Sequence, residues 1–213
     1  HYRRALEIYE RLAMERPEVY ELKLARVHMN LGSLYSDLRR FDEAEKHYKV
    51  ALKIYETLLK EHARWHEEFL AKLYLNVGGL YVRNEKLDLA VDYYLKSLSI
   101  YEKLVCEKPE AYKADLAMVH LNLGNIYSDL GKFKDAEKHY MAALKIFEQL
   151  CKKYSIYLEK LAKVYINLGA LYRKINQIGT SKKYYKIGLN LLNKISTTNK
   201  LSSKKQSKKL GKK

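Results

Sequence analysis

The sequence predicts an all-α chain, a right-handed α-solenoid of stacked antiparallel helical hairpins. Three observations predict it. Four glycines recur in one local setting, Leu31-Gly32, Val77-Gly78, Leu123-Gly124 and Leu168-Gly169, at spacings of 46, 46 and 45 residues. The same columns surround each one. Tyr35, Tyr81, Tyr127 and Tyr172 stand three residues on, and a small residue (Ala44, Ala90, Ala136, Thr180 or Ser181) twelve on. Tyr48, Tyr94, Tyr140 and Tyr185 stand sixteen on, and Ala51, Ser97, Ala143 and Gly188 follow. Between these columns, apolar residues step by three and four, the period of one buried helical face. Leu24, Val27, Leu31, Leu34, Tyr35 and Leu38 make one such run, and Ala44, Tyr48, Ala51, Leu52, Tyr55 and Leu58 a second. Units of this length bury their apolar faces only against neighbouring copies.

Each repeat therefore reads as a hairpin of helix A then helix B. Residues 2–16, with Tyr2, Ala5, Ile8 and Tyr9, are a B helix without its A partner. The A helices are expected at about 20–38, 66–84, 112–130 and 157–174, and the B helices at about 42–62, 88–107, 134–153 and 180–195. Pro17 and Pro109 fall at joins between repeats, where a helix interior is not interrupted. The repeat domain spans 1–195: a leading half repeat 1–17, then repeats at about 18–63, 64–109, 110–155 and 156–195. Alternate copies are most alike: residues 18–61 match 110–153 at 26 of 44 positions but 64–107 at 16 of 44, which points to duplication of a two-repeat unit. The fourth repeat reads as a cap, because Gln177-Ile178-Gly179-Thr180 replaces the acidic start of helix B and Gly188 replaces an alanine. The chain opens at His1 in mid-pattern, so further repeats are expected upstream in a longer parent.

Composition narrows the class. The 213 residues are 47% apolar and 31% charged, with no apolar run near the ~18 residues of a membrane span. Two cysteines, Cys106 and Cys151, make no disulfide framework and read as small buried or half-buried residues of a reducing, cytoplasmic protein. The net charge of +16 is uneven: fifteen positive charges and no acid follow Glu159, and subtracting them leaves +1 for residues 1–159. The last segment, 196–213 (STTNKLSSKKQSKKLGKK), reads as a flexible basic tail. Its Lys204, Lys205, Lys208, Lys209, Lys212 and Lys213 are the one expected contact for nucleic acid or an anionic membrane surface.

The columns Leu-Gly-x-x-Tyr and Ala-x-x-x-Tyr-x-x-Ala resemble the tetratricopeptide repeat (TPR) signature, whose usual period is ~34 residues. The longer period resembles the kinesin-light-chain-like and the bacterial and archaeal scaffolding versions of that family. The signature's early tryptophan is replaced by His28, Tyr74, His120 and Tyr165. The resemblance implies a non-catalytic scaffold whose A helices line a concave groove for a peptide or protein segment. Two alternatives stand beside it: a nucleic-acid- or surface-associated protein acting through its basic end, and the regulatory repeats of a larger enzyme. The family's clamp for a partner's C-terminal carboxylates is not expected, because Met29, Leu75, Leu121 and Ile166 fill its lysine column.

No phosphate loop, nucleophile elbow or metal cluster interrupts the repeats, so no enzyme and no cofactor are expected. His28 and His47 recur 92 residues later as His120 and His139, as scaffold positions do. His62 and His66 form an i,i+4 pair that could share a metal, with no cysteine or further histidine nearby to complete a site. The candidate site is the polar face of the A helices. It carries Arg26, Asn30, Ser33 and Asp37; Lys72, Asn76, Gly79 and Arg83; Met118, Asn122, Asn125 and Asp129; Lys163, Asn167, Ala170 and Lys174. An asparagine side chain both donates and accepts, so a row of four could hold a peptide backbone of any sequence. The same row could equally tie neighbouring A helices together. The last column alternates in sign, as an inter-repeat ion-pair ladder would.

Overall fold

The computed structural model describes residues 2–61 and 66–210. Among them are nine α-helices and one short 3-10 turn. In chain order they are α1 (Tyr2–Glu15), α2 (Pro17–Asp37), α3 (Phe41–Glu61), α4 (Glu67–Arg83), α5 (Leu87–Glu107), α6 (Pro109–Asp129), α7 (Phe133–Lys153), the turn Ser155–Tyr157, α8 (Leu158–Lys174) and α9 (Ile178–Leu210). The even-numbered helices are the A helices and the odd-numbered ones the B helices. Pro17 and Pro109 each sit at the first position of a helix, where the missing N–H has no intrahelical partner to lose. That starts α2 and α6 three residues ahead of the apolar periodicity.

The chain divides into two compact units, 1–112 and 113–213. In the first, α1 packs on α2, α2 on α3, α3 on α4 and α4 on α5. In the second, one core joins Ala117 and Leu121 of α6, Ala136, Tyr140, Ala143, Leu144, Phe147 and Leu150 of α7, and Leu161, Val164, Leu168 and Leu171 of α8. Here α8 packs against both α7 and α9.

The glycine column sets how closely each A helix meets its B helix. A Cβ on Gly32, Gly78 or Gly124 would stand 2.6, 2.5 and 2.5 Å from a ring carbon of Tyr48, Tyr94 and Tyr140, and on Gly169 2.9 Å from Tyr185. A larger residue would force the axes apart. Where serine replaces alanine in the small columns it stays buried and bonded: Ser97 Oγ donates to the Ala71 carbonyl (2.9 Å) and Ser181 Oγ to the Gly169 carbonyl (2.8 Å).

Every A-to-B turn has the same backbone. Arg39, Glu85, Gly131 and Asn176 adopt φ of 59°, 58°, 72° and 61°. The next amide then reaches back to the tyrosine of the Gly-x-x-Tyr column: Arg40 N to Tyr35 O (2.8 Å), Lys86 N to Tyr81 O (2.9 Å), Lys132 N to Tyr127 O (2.8 Å) and Gln177 N to Tyr172 O (2.8 Å). These are left-handed helix C-caps, and one of the four uses glycine.

At the C-terminal end, α9 runs to Leu210, past the helix end expected at 195. Between Gly188 and Gly211 the chain holds no glycine or proline, so nothing local stops the helix when its apolar stripe fades. Lys212 and Lys213, like His62 of the His62–His66 pair, lie outside the described residues. Among the described residues no helix is long and apolar enough to cross a membrane. Both cysteines are free; Cys151 is half-buried, but Cys106 is exposed rather than buried or half-buried, having come to the last turn of α5.

Candidate functional site: the A-helix face

Each predicted site residue lies on the polar side of its A helix. Arg26, Asn30, Lys72, Arg83, Lys163 and Lys174 are exposed, and Asn76, Asn122, Asn125 and Asn167 are half-buried. Arg26 and Asn30 share a cleft of about 260 Å³ with Tyr9, Lys23 and Val27, formed where α1 meets α2.

The asparagines do not share one environment. In the second unit Asn167 Nδ2 on α8 donates to Asn125 Oδ1 on α6 at 2.6 Å, and the same oxygen accepts from the Tyr140 hydroxyl at 2.8 Å. That bond ties one A helix to the next. Among the described residues Asn30, Asn76 and Asn122 have no comparable side-chain bond.

The sign-alternating column forms two equivalent braces. Arg83 on α4 donates to Ser36 Oγ (2.8 Å) and pairs with Asp37 (3.1 Å) on α2. Lys174 on α8 donates to Ser128 Oγ (3.0 Å) and the Ser128 carbonyl (3.1 Å), and pairs with Asp129 (3.4 Å) on α6. Arg83 and Lys174 therefore spend their charge on the neighbouring A helix.

A contribution from the B helices was missed in the sequence. The Tyr48 and Tyr140 hydroxyls bond Ser33 and Asn125, and the Tyr94 hydroxyl would lie 3.7 Å from a Cβ on Gly79. Each ring passes its glycine and brings its hydroxyl to the small column of the A face. The sixteen-residue offset between that glycine and that tyrosine is the signal that could have found it. Burial pushes the Tyr48 and Tyr94 hydroxyls up to about 12, so they stay protonated as donors at neutral pH.

Tetratricopeptide repeat models match residues 69–149, 115–194 and, with a second model, 25–63. The chain belongs to the tetratricopeptide repeat family. Solved structures of the same fold include the STAND protein with a tetratricopeptide repeat sensor from Pyrococcus horikoshii (20% identity, TM-score 0.70, 93% of this chain and 28% of that one). Others are BtubC from P. vanneervenii (20%, TM-score 0.54, 92% and 89%) and the Rap conjugation regulator of plasmid pLS20 in complex with the Phr* peptide (17%, TM-score 0.61, 81% and 44%). No curated protein sequence matches the chain.

In this TPR array the early tryptophan column belongs to a three-ring ladder in every hairpin. Repeats two and four build it from tyrosines: Tyr74, Tyr93 and Tyr81, with centroids 5.9 and 5.5 Å apart, and Tyr165, Tyr184 and Tyr172, at 6.0 and 5.3 Å. Repeats one and three build it from His28, His47 and Tyr35 (5.1 and 5.4 Å) and His120, His139 and Tyr127 (5.2 and 5.4 Å). In each histidine pair the two Nδ1 atoms share one hydrogen bond of 2.9 Å. Burial, then the partner imidazole, lowers His28 and His120 to about 4, so both are neutral at pH 7. The tyrosine ladders bond instead to the preceding B helix. Tyr74 donates to Glu56 (3.4 Å), Tyr165 to Glu148 (2.6 Å), Tyr81 to Glu45 and Tyr172 to Glu137. Among the described residues no group of three or more His, Cys, Asp and Glu gathers as a metal site.

Proposed function

We propose that this TPR chain is a non-catalytic interaction scaffold that holds a peptide segment of a protein partner on the A-helix face. Within the first unit the holding residues are Arg26 and Asn30 of α2 with Lys72 and Asn76 of α4. The observation that carries the reading is the half-buried Asn76, whose amide has no side-chain partner among the described residues while Asn167, in the same column, is bonded to Asn125. An amide left open on a lysine- and arginine-flanked face offers a donor and an acceptor to a backbone, and cations to a partner's acidic side chains. The Rap conjugation regulator, of similar fold, has a structure in complex with the Phr* peptide, which supports a peptide as the class of ligand.

The test begins by selecting binders for the whole chain from a random peptide library and measuring their affinity by fluorescence anisotropy. Asn30→Ala and Asn76→Ala should each weaken binding several-fold, about 1 kcal/mol per lost hydrogen bond, with unchanged melting. Asn167→Ala should instead lower unfolding free energy by about 1 kcal/mol. Peptides that bind the Asn30→Ala, Asn76→Ala double variant as tightly as the parent would remove the A face from consideration.

A further inference from the structure

Two B helices, α3 and α7, receive the A helix that follows in the same way, whereas α5 has Val91 and Glu102 at the two framing positions. On α7 the receiving surface is Leu144, Phe147 and Leu150, which are 6%, 0% and 5% exposed and share a core with Leu161, Val164 and Leu168 of α8. Two carboxylates frame that surface, Glu137 and Glu148, and each accepts a tyrosine hydroxyl from α8. On α3 the same two positions are Glu45 and Glu56, and they take hydroxyls from α4.

Shifted by one repeat of 45 residues, these columns fall on α9 at Leu189, Leu192 and Ile195. Here the surface is uncovered: Leu189 is 54% exposed, against 6% for Leu144, while Leu192 and Ile195 are half-buried. The framing pair is also changed. Lys182 stands where Glu45 and Glu137 stand, and Asn193 where Glu56 and Glu148 stand, with Lys183 and Lys186 exposed on the same helix. Residues 160–213 contain no acid. A tyrosine hydroxyl reaching position 182 would meet an ammonium group that cannot accept its proton, and only Asn193 retains an acceptor.

We propose that the outer face of α9 is a second interaction surface, and that its occupant is an acidic amphipathic helix of a protein partner. That helix packs as a further A helix would, with its apolar stripe on Leu189, Leu192 and Ile195. Its carboxylates stand opposite Lys182 and Asn193, at the positions where α4 and α8 carry tyrosine, with Lys186 one turn from Lys182 on the same helix. Residues 182–195 offer about 20 Å of helix, enough for three to four turns of the partner. Apolar contact supplies the affinity, and the exchange of the two framing carboxylates for a lysine and a neutral amide favours an acidic helix over the chain's own A helices.

The probe is a fluorescein-labelled synthetic peptide with the sequence of residues 109–129 carrying His120→Glu and Tyr127→Glu. It keeps the apolar stripe of an A helix and places carboxylates at the two framing positions. Titrated with the whole chain, it should bind saturably, and roughly tenfold more tightly than the unsubstituted peptide. Lys182→Glu with Lys186→Glu, and separately Leu189→Asp, should each weaken it roughly tenfold. All three positions are exposed, and circular-dichroism melts check that the fold is kept; Leu189→Gln replaces Leu189→Asp if the latter melts early. Equal binding of the two peptides, or no saturable binding, overturns the proposal. Binding that falls with the lysines but ignores Leu189, and that a DNA duplex competes away, also overturns it and assigns the face to polyanions.

Discussion

Gly78 and Gly79 are adjacent on α4, yet alanine should act on them with opposite sign. Both are helical, so each substitution gains about 0.5–1 kcal/mol from the conformational freedom that glycine loses on folding. They differ in what the new methyl meets. At 79 the nearest atom is the Tyr94 hydroxyl at 3.7 Å, an ordinary contact. At 78 it meets two ring carbons of Tyr94, each at 2.5 Å, where ordinary contact begins at 3.4 Å. About 0.9 Å must be recovered by moving the Tyr94 ring, which is 4% exposed, or by parting α4 from α5. Overpacking of this kind costs about 1–3 kcal/mol, which exceeds the propensity gain. Urea unfolding of the two variants should place Gly79→Ala at or above the parent midpoint and Gly78→Ala below it. In a Tyr94→Ala background the cost of Gly78→Ala should vanish, since the ring is gone. A Gly78→Ala midpoint equal to that of Gly79→Ala, or a cost that persists without Tyr94, would refute close helix packing as the reason for this column.

Glu85→Gly should stabilise the chain by about 1 kcal/mol in the same assay, because Glu85 holds a φ of 58° that costs an L side chain about that much. The histidine ladders should make stability depend on pH. His28 and His120 are lowered to about 4 in the folded chain, so between about 6.5 and 4 the unfolded chain binds more protons. Stability is therefore full above 6.5 and is lost as pH falls towards 4. Melting temperatures from pH 7 to 4 should drop less steeply in a His28→Tyr, His47→Tyr variant that copies the ladder of repeat two, and an unchanged slope would dismiss the pair as the source.

Periodicity and the small columns carried most of the fold. The A helix expected at 66–84 is found at Glu67–Arg83, and the B helix expected at 42–62 at Phe41–Glu61. Glycine, alanine and tyrosine at these positions are dictated by local packing, and packing repeats with the sequence. Less of the site was legible. One residue type fills the asparagine column, but Asn167 is engaged and Asn76 is open because residue 125 is asparagine where residue 33 is serine and residue 79 glycine. That difference lies on a neighbouring helix and has no periodic signature. The histidines were recognisable as a duplicated pair of positions, but their mutual hydrogen bond depends on two rings meeting across a hairpin. The continuation of α9 to Leu210 escaped because apolar periodicity reports burial, and a helix can outlast its buried stripe.

The turns between A and B helices have a consequence for how such a chain tolerates change. Their geometry is held by backbone bonds to the carbonyls of Tyr35, Tyr81, Tyr127 and Tyr172, and the left-handed position itself carries Arg39, Glu85, Gly131 and Asn176. A cation, an anion, no side chain and an amide thus occupy one position without altering the bond that closes the turn. Each turn is insulated from the core: its charge is free to drift from copy to copy, at a strain of about 1 kcal/mol where glycine is given up. Surface chemistry at each turn can therefore be rewritten without disturbing the way its two helices meet.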